Sequence, residues 1–406
     1  MSQIEKKAKK WHYWLIPLSL FCILVILIIG VRLVQRKSLQ QRVASDYLSL
    51  LAKFDKEFPG RGLQDYDGSV IDDYAKSYAV FLSAEINRAK ATTPFKLSEQ
   101  GRAAGEWLLA NSDQNGNGVT GWELPVAWDA YGDGTINPAG TEYTITTGIV
   151  INSLLDWYEN DPSAPKDKIL QTVIAATQPF IDGTHQTLDG FIPYSFSHFD
   201  DAYVTYNSAT YMLGQLQRIS TFVDDTQLKL DLTNFADQAM QRVIADHLEL
   251  SDGSWYWLYG DLAGGLNELA HATYIVDGIR NYILYSGNLA DQIEWKAILK
   301  YLDTYSSFGG LSVYEYQPGD GTTLNDYPRL YDLGSYLRLV SLCKPNTPLL
   351  INLVDLSEKY QVTSGHYAKY IYPESDNALV INEYESFILY GWSIILSNQQ
   401  GACFKR

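Results

Sequence analysis

The sequence predicts an all-α protein: an (α/α)6 toroid of six helical hairpins preceded by a single N-terminal transmembrane helix. Three observations lead there. A unit recurs about every 60 residues, and a repeat of that length points to architecture before chemistry. Each unit pairs an amphipathic helix with one that is apolar nearly all round. Between them lies a Gly- and aromatic-rich turn: NGNGVTGWELP from Asn115, DGFIPYS from Asp189, DGSWYWLYG from Asp252, GGLSVYEY from Gly309 and GHYAKYIYP from Gly365.

In chain order, residues 1–13 read as a cytoplasmic tail. From Trp14 to Val31 the chain carries no charge, which is about the span of a hydrocarbon core. Lys6, Lys7, Lys9 and Lys10 precede this stretch, and Arg32, Arg36 and Lys37 follow it. The larger cluster before the span favours a type II orientation, with the following domain exported. No A-x-A cleavage pattern follows, so residues 14–34 are expected to be a signal anchor in the inner membrane facing the periplasm. A linker over 35–40 leads to a toroid domain over 41–397, and residues 398–406 form a tail.

Within the domain, the first outer helix is expected over Gln41–Phe54. Inner helices are expected to begin near Asp72, Glu142, Asp201, Asn267, Arg329 and Asn382, the last running to about Leu396. The stretch TEYTITTGIVINSLLDWY has no polar stripe, the pattern of a helix buried on all sides. LSEQGRAAGEWLLANS and TQLKLDLTNFADQAMQRVIADHL carry charges spaced for one wet face, so they belong to the outer layer. Outer helices that return antiparallel bring all six inner N-termini and the aromatic turns to one face. Any cleft lies there.

Composition narrows the partners. A formal charge of −16 with no basic stripe excludes nucleic acid as a partner. The chain has 30 Tyr and 10 Trp, rings that either line a carbohydrate cleft or pack between helices. Of three cysteines, Cys22 lies in the apolar span, while Cys343 and Cys403 fall at the face opposite the turns. They either pair in an oxidising compartment or remain two thiols.

The densest local motif runs from Asp113 to Tyr143. Asp113, Asn115 and Asn117 with Gly118 match the first half of an EF-hand-like loop, but position twelve is Leu124 and the bidentate ligand is missing. An Asx/Gly turn is therefore expected with no cofactor, a structural calcium ion being the alternative. Trp122, Trp128 and Tyr131 beside Asp129, Asp133 and Glu142 supply what a sugar subsite needs, flat rings for C–H faces and carboxylates for hydroxyls. The competing reading is that acids at helix starts are caps.

Glycoside hydrolysis requires two carboxyl groups around one bond, roughly 5 Å apart for retention or about 6.5–9.5 Å for inversion. Glu142, Asp200, Asp201, Glu268 and Asp332 are the candidates from the rim; Asp72, Asp73, Asp326, Glu383 and Glu385 lie at the same level. A second chemistry is offered by Asn267, His271 and Tyr274, at i, i+4 and i+7 on one helix face. Such a trio can neutralise a uronate carboxylate, abstract a carbon-bound proton and protonate a leaving group.

The six-fold pattern, with the DGFIPYS and DGSWYWLYG turns and the inner-helix starts NSATYMLGQL and NELAHATY, resembles the six-hairpin (α/α)6 toroid superfamily of carbohydrate-active enzymes. The resemblance covers nearly all of residues 41–397. It implies a poly- or oligosaccharide substrate. Tyr194, Asn207 and Trp257, in the same turns and helix starts, are further candidate binding residues. That superfamily spans inverting glycoside hydrolases, unsaturated-uronyl hydrolases, polysaccharide lyases and the helical domain of uronyl epimerases. The expected function is a membrane-anchored glycoside hydrolase acting on an exopolysaccharide or envelope glycan. The alternatives are a uronate lyase or C5-epimerase, or a non-catalytic glycan-binding or assembly factor.

Overall fold

Helices that are apolar on every side must be enclosed by others, and among the described residues inner and outer helices alternate to do so. The computed structural model describes residues 21, 39–54, 56, 58–63, 72–261, 267–306, 328–345, 348–363, 365–368, 380–397 and 399–405. Apart from Phe21, the predicted apolar span lies outside the described residues, as do the turn from Gly309, Asp326 and the end of the GHYAKYIYP turn. Among the described residues no helix is long and apolar enough to cross a membrane. The chain divides into two compact units, Met1–Asp46 and Tyr47–Arg406. Helix α1 covers residues 39–53, and the fold below is that of the second unit.

The inner helices are α2 (Ala75–Lys90), α4 (Thr144–Asn160), α6 (Tyr206–Ser220), α8 (Leu269–Leu284), α10 (Leu330–Cys343) and α12 (Asn382–Leu396). The outer helices after α1 are α3 (Glu99–Ala110), α5 (Lys166–Ile181), α7 (Thr226–Ala245), α9 (Trp295–Asp303) and α11 (Pro348–Glu358). Burial separates the two classes. Every residue of α6 is buried, whereas α7 buries only Leu232, Ala236, Ala239, Met240 and Val243. That spacing is one stripe of a 3.6-residue helix, and α5 repeats it with Ile169, Val173, Ala176, Thr177 and Phe180.

Each inner helix packs on the next, and α12 packs back on α2, so six helices close a ring. Each of α3, α5, α7, α9 and α11 also packs on the inner helix before it. This is the (α/α)6 arrangement that the repeat predicts. Two crossings are closest. A Cβ at Gly278 of α8 would lie 2.0 Å from the Thr210 carbonyl oxygen of α6, and one at Gly334 of α10 2.4 Å from the Phe387 carbonyl oxygen of α12. Only glycine permits backbones to meet at that separation. Polar ties cross the ring too, Ser83 Oγ with Ser153 Oγ at 2.8 Å between α2 and α4, and the buried Arg338–Asp277 pair between α10 and α8.

The turns contain an element the repeat does not predict. Among the described residues short antiparallel pairs precede four inner helices: β1 (Arg61–Leu63) with β2 (Asp72–Asp73), β3 (Glu123–Leu124) with β4 (Thr141–Glu142), β5 (Leu248–Glu249) with β6 (Trp255–Tyr256), and β7 (Gln361–Thr363) with β8 (His366–Tyr367). Because strands occupy Asp72 and Glu142, α2 and α4 begin at Ala75 and Thr144, and α6, expected near Asp201, begins at Tyr206 after a single 3-10 turn over His198–Asp200, all later than expected. At the opposite end Cys343 and Cys403 are joined in a disulfide with Cα atoms 4.7 Å apart, so the open choice between a bond and two thiols resolves to the bond.

The Gly278 crossing is expected to be intolerant of any side chain. Gly278→Ala should destabilise the folded chain by about 1–3 kcal/mol, read as a lower urea midpoint at unchanged m-value.

Candidate active site

The start of a helix leaves its first N–H groups without intrahelical partners, and acidic caps are the usual remedy. Here the next turn does much of that work. Thr144 N donates to the Tyr194 carbonyl and Tyr206 N to the Tyr259 carbonyl, both at 3.1 Å. Bridges Tyr143–Ser195 and Thr205–Gly260 sew the same turns together. The N-cap side chains Tyr74, Tyr143, Thr205, Glu268 and Ile381 make no capping hydrogen bond. The side chains at the rim are thereby released for other contacts. Asp332 is the exception, forming a capping box with Arg329.

Four inner helices converge on one polar cluster. Arg329 holds Asp332 through Nε at 2.9 Å and Nη2 at 3.0 Å, and its Nη2 also binds Glu268. Burial works against the Arg329 charge, and the Asp332 and Glu268 carboxylates more than reverse that. Across the cluster Lys76 Nζ lies 3.0 Å from Glu383 Oε1 and 5.1 Å and 5.6 Å from the Tyr74 and Tyr331 ring centres. Burial acts to discharge Lys76 too, and Glu383 outweighs it, raising the ammonium well above the usual lysine range. Tyr384 stacks on Tyr331, extending the aromatic wall.

His271 and Tyr274 sit between these ion pairs. The His271 Nδ1 is 3.7 Å from Glu268 Oε2, beyond a hydrogen bond, and its ring is 5.0 Å from Tyr259 and 6.4 Å from Tyr274. Burial pushes the imidazole down to about 4, so it is neutral at pH 7. Burial also raises the Tyr274 hydroxyl above its ordinary value. Among the described residues neither His271 Nδ1 nor the Tyr274 hydroxyl has a hydrogen-bond partner. Asn267, the third member of the expected trio, is fully buried and donates to the Trp257 carbonyl at 3.3 Å.

The remaining expected residues form a second group or belong to the scaffold. Tyr131 lies against Tyr194 and Tyr203 and bonds Thr205 Oγ1 at 2.8 Å, while Tyr194 and Tyr259 share a hydroxyl hydrogen bond. Asp200 is buried, accepting from Asn137 at 2.8 Å and from Ser195; burial raises its pKa despite those bonds. Asp201 and Trp128 are half-buried, the latter bridged to Asn137, and Asn207 is buried on α6. Trp122 and Trp257 are buried with their indole N–H groups on the Leu108 and Val243 carbonyls, anchoring turns to outer helices.

Glu142 is buried and accepts from Asn115 Nδ2 at 3.0 Å and Asn117 Nδ2 at 2.7 Å, tying the 113–118 turn to α4. In that turn Asp113, Asn115 and Asn117 direct oxygens to the amides of Gly118, Asn117 and Val119, the pattern of an Asx turn. Asp129 holds Gly132 N and Gly134 N in the same manner. Of the other rim acids, Asp73 accepts from Tyr78 and Glu385 from Tyr367 N, so neither belongs to the central cluster.

Lys76, Arg329, Tyr331, Tyr384 and Tyr259 are the cluster members that the acid-centred reading passed over. The first two had a signal in the sequence. Each is a cation at the start of a helix that the ring encloses, where an unpaired charge is too costly to bury.

No protein-family model and no curated protein sequence matches the chain. Solved structures do. A D-mannose isomerase is similar with a TM-score of 0.59 at 13% identity, over 88% of this chain and 98% of that one. A cellobiose 2-epimerase from Spirochaeta thermophila is similar at 0.57 and 11% identity, over 89% and 97%. An unsaturated glucuronyl hydrolase specific for heparin gives 0.56 at 11% identity, over 88% and 96%. The chain therefore has the six-hairpin glycosidase-like (α/α)6 fold, shared by isomerases, epimerases and hydrolases.

The His271 environment has a measurable consequence. An unfolded histidine titrates near 6.5, so between about pH 6.5 and pH 4 the unfolded chain binds the extra proton. His271 thus contributes stability that is complete above about pH 6.5 and lost as pH falls to about 4, on the order of 3 kcal/mol across that window. Urea titrations at several pH values should show a shallower slope in His271→Asn than in the parent chain.

Proposed function

We propose that this chain is a carbohydrate-active enzyme that moves a carbon-bound proton, with neutral His271 as the base and Tyr274 as its proton-transfer partner. One observation carries the reading. In the central cluster the carboxylates are held by cations, Glu268 and Asp332 by Arg329 and Glu383 by Lys76, while His271 Nδ1 and the Tyr274 hydroxyl have no hydrogen-bond partner among the described residues. A base must be unprotonated at working pH, and the burial of His271 keeps it so. In this reading Arg329 and Lys76 stabilise the negative charge that develops on a carbonyl or carboxylate once the adjacent proton leaves. Tyr259 and Tyr384, half-buried beside the cluster, supply rings for a sugar, while Tyr74 and Tyr331 are buried behind them. This is the chemistry of sugar isomerisation, epimerisation or uronate elimination. The names of the similar isomerase and epimerase structures agree with it.

The second reading is glycoside hydrolysis, and Asp200 is the observation in its favour. Burial raises its pKa beside Tyr131 and Tyr194, as suits a proton donor. Glu142 is a weaker choice for that role, since two side-chain amides hold its carboxylate. In either reading we place the domain outside the cytoplasm on a signal anchor over residues 14–34, supported by the uncharged run Trp14–Val31 and its basic flanks.

Incubation with a panel of neutral and uronic oligosaccharides in deuterated water separates the two reactions. Proton transfer predicts deuterium at a sugar carbon, or an unsaturated uronate chromophore, without a rise in reducing ends from simple hydrolysis. His271→Asn should lower that rate about 10²- to 10⁴-fold, with Tyr274→Phe also impaired. New reducing ends that survive His271→Asn and vanish in Asp200→Asn would sink this proposal in favour of hydrolysis. For the anchor, externally added protease should digest the domain in spheroplasts; full protection would count against export.

A further inference from the structure

At the end of the ring opposite the rim, the C-terminal turns of the inner helices surround a cavity of about 560 Å³. Its volume falls within the usual range for small-molecule sites. In a chain of formal charge −16 its lining runs the other way: Lys90, Lys166, Arg218, Arg280, Arg338 and Lys405 against Asp156 and Glu159. Cations in the last turns of helices are expected, because they oppose the negative end of the macrodipole. That account covers some of them. Arg218 is bound to Asp156 and Glu159, and Arg338 to Asp277 of α8. Lys166 lies over the Tyr158 ring.

Arg280 is different. It is 8% exposed, it sits a full turn before the end of α8, and among the described residues its guanidinium has one hydrogen bond, Nη1 to Asn281 Oδ1 at 3.2 Å. Its Nε, like those of Arg218 and Arg338, has no partner among the described residues. No ion pair reaches it or the half-buried Lys90 among the described residues. A guanidinium buried with N–H groups unsatisfied is costly, and the fork it presents matches an oxyanion. Tyr285, Tyr390 and Phe222 line the same space and give an organic group something to rest against. The wall formed by Gln399, Ala402 and Lys405 is clipped in place by the Cys343–Cys403 disulfide and by Gly401 N on the Ser341 carbonyl.

We propose that this cavity is a second ligand site, separate from the rim, that binds a phosphorylated small molecule with its phosphate on Arg280 and Lys90. The two ends are separated by the inner helices, about 1.5 Å per residue over some fifteen residues, so occupancy of one does not block the other. Burial in the cavity lowers the pKa of Arg280 and of Lys90, the direction a bound dianion would reverse.

Isothermal titration of the whole protein at fixed ionic strength tests this with two probes, inorganic phosphate and glucose 6-phosphate. Glucose and sodium chloride serve as controls. Saturable binding of a phosphate-bearing probe, weakened about 10- to 100-fold in Arg280→Gln and in Lys90→Gln, is the expected result. Tighter binding of the ester identifies a phosphorylated metabolite as the ligand class; equal or tighter binding of the free ion identifies phosphate itself. Lys90 lies at the end of α2 and is half-buried, so its variant decides the matter should Arg280→Gln fail to fold. Absence of saturable binding to both probes, or binding unchanged in folded variants, overturns the proposal.

Discussion

The structure depends on one constraint: six helices with no polar face must each be enclosed on all sides. A helix that buries every residue, as α6 does, needs neighbours to left and right as well as an outer cover. An open row of such helices would expose its two ends. Packing α12 against α2 removes both ends, and the amphipathic outer helices cover the periphery with single apolar stripes. Close glycine crossings between α6 and α8 and between α10 and α12 set how tightly the ring draws in.

Closure also makes the two ends of the ring chemically unlike. At one end, carbonyls from neighbouring turns satisfy helix N–H groups, which leaves side chains at the helix starts free to meet one another. There the acids of α8, α10 and α12 meet Arg329 and Lys76, and a neutral imidazole and a phenol stand among them. At the other end the helix carbonyls face a cavity lined with arginine and lysine, one wall of which a disulfide fastens. The proton transfer proposed for the first end has a neutral base beside carboxylates that are each paired with a cation. The anion site proposed for the second rests on a lining in which cations outnumber carboxylates.

Much of the fold was legible in the residues. Periodicity distinguished inner from outer helices, and the chain brought α12 to its expected end at Leu396. Helix starts were less legible, because the short β pairs that delay α2 and α4 arise from pairing across a turn rather than from local pattern. At the site, the i, i+4, i+7 spacing rightly put His271 and Tyr274 near one another, yet it assigned Asn267 to the same cluster when the packing of Trp257 claims it. The acids were legible as a rim but not as individuals. Glu142 and Asp332 look alike in sequence, and one ties down a loop while the other engages an arginine three residues earlier.

The amino-acid sequence by itself determined the helical-hairpin repeat, the inner or outer place of its helices and the face to which the turns come, because these follow from where apolar side chains recur along a helix. The tertiary structure alone decided which charges meet. Pairing between Lys76 and Glu383, or between Arg329 and Glu268, joins residues distant in the chain and requires the ring to close before either partner is in reach. The same closure determines which polar atoms have no partner among the described residues, and on those atoms both proposals rest.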